Sequence, residues 1–131
     1  MKVSKAYRIF IVLLCAGVII LSLGCTKKQR QFGTRYELEN SCTMALQSFG
    51  AYGARIYDDS HLMEVYVKGD FGAVYKEHEK ELKKLFRTWL DHLYRFKGTN
   101  EAVGILVKQG KLELFHASRD EKGKYSFRSL E

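Results

Sequence analysis

The residues able to do chemistry are few and scattered. There are four histidines, His61, His78, His92 and His116. A zinc centre needs three or four ligands converging from recognisable spacings. His78-Glu79 opens such a spacing, but Leu82 stands where the second histidine would be. Asp91-His92 and Asp58-Asp59-Ser60-His61 are pairs with no third ligand in sequence. Each histidine therefore reads as an ordinary surface or boundary residue. No Gly-x-Ser-x-Gly elbow and no Gly-x-x-x-x-Gly-Lys phosphate loop occurs. Glu77, Glu79, Glu81 and Asp91 fall beside lysines on the polar side of a helical pattern, the layout of intrahelical ion pairs. The expectation is a non-enzymatic chain with no metal and no cofactor.

The cysteines and aromatics are more informative. Cys15 lies in an apolar leader and Cys25 directly after it, which leaves Cys42 without a partner further along the chain. Cys42 shares a helical face with Leu38, Ala45, Leu46 and Phe49, so burial is expected, with an interchain disulfide as the alternative. Most of the many Tyr and Phe residues read as packing. Tyr57 and Tyr66 are the exception, because they fall on the polar phase of neighbouring strands and form a candidate exposed binding patch.

Elements must position these groups, and the sequence supplies them. Leu38, Cys42, Ala45, Leu46 and Phe49 recur at helical steps, predicting a helix over 36–49 with Glu37 and Glu39 in its first turn. Gly50 and Gly53 end it. Short strands are expected at 54–57 and 62–68, joined by a turn at Asp58-Asp59-Ser60, with Met63, Val65 and Val67 on one face. Val74, His78, Leu82, Leu85, Phe86, Trp89, Leu93 and Phe96 form one stripe, predicting a single long helix over 71–96 capped by Asp70 and stopped by Gly98. Val103, Ile105 and Val107 then alternate inward, Gln109-Gly110 turns, and Leu112, Leu114 and either Phe115 or His116 return. Tyr125 and Phe127 suggest a last short strand. The order α-β-β-α-β-β-(β) predicts an α+β fold, two helices packed on a small antiparallel sheet.

The segment before this pattern is of another kind. Lys2, Lys5 and Arg8 precede Ile9 to Gly24, a run without a charge. As a helix it would span about 24 Å, short of the ~30 Å hydrocarbon core of a bilayer and suited to a signal-peptide core. Leu21-Ser22-Leu23-Gly24-Cys25 follows, and it resembles the lipobox of bacterial lipoproteins. Gly24 and Cys25 match that pattern, while the customary leucine stands one place early, at Leu21, and Leu23 is bulkier than usual. The resemblance implies cleavage between Gly24 and Cys25, a diacylglyceryl thioether on Cys25 and acylation of the new terminus. One acyl chain binds a membrane marginally and two or three hold firmly, at ~0.8 kcal/mol per buried methylene. Thr26 in second place implies outer-membrane delivery in a Gram-negative host. Element order and the stretch Val65–Gly69 also resemble BON-type modules, exported bacterial domains associated with membranes and phospholipid; no functional residue is carried across.

Three segments result: a signal peptide over 1–24, a lipidated basic tether over 25–35, and a compact domain over 36–131. Lys27, Lys28, Arg30 and Arg35 on the tether are candidates for membrane-surface contact, at ~1 kcal/mol each near anionic lipid. Of the formal net charge of +7, the leader holds +3, leaving +4 from Cys25 onward, interspersed with acids. That pattern argues against nucleic acid as a partner. The function expected is binding or assembly support for another envelope protein beside the membrane. An alternative is a lipid- or small-ligand-binding module with a pocket beneath Trp89 and Leu93. A third reading is an envelope hydrolase, which would need two histidines meeting an acid in one cleft.

Overall fold

Thr34 opens the first helix. Its hydroxyl accepts the Glu37 backbone N–H at 3.2 Å, and α1 runs Arg35–Leu46 into a short 3-10 turn, Gln47–Phe49. The computed structural model describes residues 32–131; Gly24, Cys25 and the basic residues Lys27, Lys28 and Arg30 lie outside the described residues. After α1 come β1 (Ala51–Ile56), β2 (Leu62–Val67), α2 (Phe71–Glu77), α3 (Glu79–Lys97), β3 (Val103–Gln109), β4 (Leu112–Arg119) and β5 (Tyr125–Ser129). The fold is α+β, with the strands in one sheet of order β1-β2-β3-β4-β5.

Two expectations about the elements change. The single helix over 71–96 is two, because His78 leaves helical geometry at φ −119° and ψ 31°. Backbone bonds continue on either side, from His78 N–H to Val74 and from Leu82 N–H to the His78 carbonyl, so the break is a bend. Asp70 caps α2 by accepting the Ala73 N–H, and Gly98 ends α3 with φ +60°. The bend lets α2 lay Phe71 and Tyr75 on Phe115 while α3 buries Leu82, Phe86, Leu90 and Leu93. Burying a side chain such as Phe86 contributes about 1.5–3 kcal/mol.

The second change concerns the sheet. β1–β2, β3–β4 and β4–β5 are antiparallel, but β2 and β3 run parallel, pairing Leu62 with Gly104 through Tyr66 with Lys108. The sheet is therefore mixed. A parallel pair needs a crossover of a dozen residues or more, and α2 with α3 supplies it.

Met63, Val65, Val67, Val103, Ile105 and Val107 point to the helices, as their alternation predicts. β4 departs from the expected phase. Leu114 is the extra residue of a bulge opposite Val107 and Lys108, and it is buried together with Phe115. His116 is in register with Leu106 on the opposite face, and Leu112, beyond the bulge at the hairpin end, is 62% exposed. Cys42 is buried on the apolar side of α1, and burial pushes its thiol pKa up. A single transverse row then crosses the face turned from the helices: Arg55, Glu64, Leu106, His116 and Arg128.

Candidate binding groove

The β1–β2 hairpin and the start of α1 bring four tyrosines around one groove of about 740 Å³. Tyr57 and Tyr66 come from the hairpin, as the polar phase of those strands predicts. Tyr52 comes from β1 and Tyr36 from α1. Tyr36 is 68% and Tyr52 57% exposed, whereas Tyr57 and Tyr66 are partly covered. The Tyr52 and Tyr66 rings lie 6.4 Å apart at their centroids. Strand pairing explains the grouping: Tyr66 sits opposite Gly53, and the irregularity between Ala51 and Gly53 lets Tyr52 approach it. A Cβ at Gly53 would sit in ordinary contact with the Tyr66 ring, at 3.6 Å.

Charged groups frame the aromatics. The Arg55 guanidinium lies 5.0 Å over the Tyr57 ring, and Arg35 lies 5.7 Å over Tyr36 while pairing with Asp58 at 3.1 Å. Arg35 was expected in a flexible tether; here it is the first residue of α1. Tether and helix meet earlier than predicted, since Phe32 already packs on Trp89 and His92. Glu39 was expected to serve the helix dipole. Instead it is buried and accepts the Ile56 backbone N–H at 2.7 Å, fixing α1 to β1 behind the groove. Tyr66 donates its hydroxyl to Glu64 at 3.2 Å, and Lys108 pairs with the same carboxylate oxygen at 3.2 Å. Burial raises the Tyr66 pKa, helped by the Tyr57 hydroxyl and the Glu64 charge, so Tyr66 remains a hydrogen-bond donor at neutral pH.

Tyr36, Tyr52, Glu39 and Arg55 were not singled out from sequence. Tyr52 is the instructive case. A strand begun at Ala54 leaves it in a loop, and only a strand that accepts Gly53 places it beside Tyr66.

The histidines stay apart in function. His61 pairs with Glu101 at 2.6 Å, and His78 lies near Glu77 and Glu81 against the Phe49 ring. His92 packs on Phe32 and Trp89, and burial lowers its pKa, with Arg95 adding to the effect. His116 lies over Gly104 on the far face; burial and then Arg128 lower its pKa. Among the described residues no group of three His, Cys, Asp or Glu could hold a metal ion. Asp91 accepts the Tyr125 hydroxyl and pairs with Arg119 at 3.2 Å, and Arg119 stacks on Tyr94 at 3.8 Å. This network ties α3 to β4 and β5.

Beneath the helices the packing is close. Leu93 is fully buried, Trp89 nearly so, and the void between Leu46, Phe86 and Val107 is about 10 Å³. A larger opening of about 260 Å³ lies at the sheet end, between Phe71, Tyr75, Leu114 and Phe115. No helix among the described residues is long and apolar enough to cross a membrane. Compared with protein-family models, curated proteins and solved structures, the chain shows no match.

Proposed function

We propose that this is a lipid-anchored protein of the bacterial cell envelope, held by acyl chains on Cys25, whose α+β domain docks another envelope protein in the tyrosine groove. The lipobox-like run Leu21–Cys25 supports the anchor. The observation that carries the docking is the convergence of Tyr36, Tyr52, Tyr57 and Tyr66 on one groove. Tyrosine offers a large, rigid contact with a polar tip at low cost in conformational entropy, and with Arg it dominates the centres of protein interfaces. Arg35 and Arg55 supply the charged partners, and the groove adjoins the start of α1.

The anchor is tested by a clickable palmitate analogue in growing cells. Label and membrane retention are both expected to vanish in Cys25→Ala; retention without label in the wild type would sink the lipoprotein reading. Docking is tested by a photo-crosslinking residue placed at Tyr52, with one at exposed Met44 as reference. A discrete adduct from position 52 that is lost with Arg55→Glu supports the groove, and equal labelling from both positions overturns it. A second reading, binding of a small apolar ligand, rests on the opening beside Phe71 and Tyr75.

A further inference from the structure

The last strand of the sheet leaves one side open. Among the described residues β5 pairs with β4 alone, matching Tyr125 with Arg119 through Ser129 with Phe115. The Asp120 N–H donates to the Lys124 carbonyl, and the Leu130 N–H donates to the Leu114 carbonyl. Residues 124 and 130 therefore turn their backbone groups toward β4, and by the alternation of an antiparallel ladder so do Ser126 and Arg128. Tyr125, Phe127 and Ser129 turn theirs outward, offering three N–H groups and three carbonyls. Such a row is a template for another strand, which proteins commonly protect with charge or cover with a loop or helix.

Cationic side chains stand on both faces of this edge. On the helix face, Lys83 and Arg87 lie 5.7 Å and 5.6 Å over the Phe127 ring. On the other face stand Lys124 and Arg128, both exposed. Lys76 lies beside Ser129 at the strand's end. The nearby acids are already engaged or at the ends: Asp91 holds the Tyr125 hydroxyl and pairs with Arg119, and Asp120 accepts the Lys124 N–H. Glu79 pairs with Lys83 at 2.9 Å, and Glu131 lies at the strand's end. A second copy pairing here would gather Lys124 and Arg128 of both copies on one face of the seam, which like-charge repulsion disfavours.

We propose that the open edge of β5 is a docking strip for an extended acidic segment of a partner protein, taken up by strand addition. Backbone bonds to Tyr125, Phe127 and Ser129 hold the segment. Its side chains point alternately to the two faces of the sheet, so acids at successive positions meet Lys83 and Arg87 on one side and Lys124 and Arg128 on the other. The strip is separate from the tyrosine groove and does not depend on it.

The test uses the full chain in detergent micelles and a fluorescent heptapeptide with Glu at successive central positions between Val and Thr, so that both faces carry acid, followed by anisotropy at low salt. Saturable binding is expected that weakens as salt rises, with slowed amide exchange at Tyr125, Phe127 and Ser129. The same peptide N-methylated at alternate amides, leaving its charge intact, should lose binding, as should a Lys-for-Glu version. The double variant Arg87→Glu, Arg128→Glu should bind about five- to tenfold more weakly, since each exposed charge pair contributes only a few tenths to one kcal/mol. Tyr52→Ala should bind as the wild type does, which separates this strip from the groove. Undiminished binding of the N-methylated peptide would overturn strand addition without any change to the protein. Concentration-dependent protection of the same three amides without peptide would assign the edge to a second copy instead.

Discussion

At the β1 edge a helix lies alongside the strand, and a buried carboxylate on that helix accepts the Ile56 N–H. At the β5 edge no comparable element packs alongside among the described residues; side chains flank the strand, Lys83 and Arg87 over Phe127 and Asp91 at the Tyr125 hydroxyl. Both devices discourage indiscriminate pairing, but they differ in what they leave possible. A covered edge is closed to every extended chain, whereas a charged edge is closed only to chains of like charge. The first region therefore presents side chains, in the groove beyond the strand. The second remains able to recognise backbone.

The contrast can be broken from the covered side first. Leu38→Ala should cost about 2–5 kcal/mol in urea unfolding, because Leu38 is fully buried where α1 meets the core. Glu39→Ala should cost about 1–3 kcal/mol by leaving the Ile56 N–H buried without an acceptor, and hydrogen exchange at that amide should accelerate. Unchanged exchange at Ile56 would mean that Glu39 does not seal the edge. On the open side the expected effects are smaller. Tyr125→Phe should cost about 1 kcal/mol by removing the hydroxyl held by Asp91, loosening β5 while leaving β1 unaffected.

The smallest effect expected is a pH dependence. His92 and His116 both have pKa values lowered in the folded state, chiefly by burial. For a base this means that the unfolded chain binds more protons near its ordinary pKa of ~6.5. Their contribution is therefore full above that pH and is lost as pH falls below it toward their folded values. Tm should decline from pH 7 to pH 5, and His116→Gln should flatten part of that decline. A wild-type Tm that stays level over this range would contradict it.

The parts of the fold legible from sequence are those set by local rules. Asp70 and Gly98 mark helix ends by capping chemistry, and Met63, Val65 and Val67 face the core by strict alternation. Other features depend on what lies across the fold. The bulge opposite Lys108 lets Leu114 and Phe115 both be buried, and Leu112, which reads as core, lies past it at the hairpin end and is exposed. The parallel pairing of β2 with β3 is invisible because a long helical segment can return a strand in either direction. Tyr57 and Tyr66 were recognisable because their phase on neighbouring strands is local. Glu39 was not, since a first-turn acid has a sufficient local explanation, and its partner Ile56 lies 17 residues further on.

The parallel pair also sets an order of assembly. Each antiparallel hairpin closes across a short turn, so β1 with β2 and β3 with β4 can zip early from contacts near in sequence. Joining β2 to β3 must wait until α2 and α3 have folded back, a closure that costs more chain entropy than either turn. Until then the growing structure is two separate halves, each with an unmatched strand along the future seam. Refolding should therefore be limited by the helical return, and Leu90→Ala, which weakens α3 against the sheet, should slow it. An unchanged refolding rate in that variant would place the slow step in the hairpins instead. On that order, the seam at the centre of the finished sheet closes after the two hairpins that flank it.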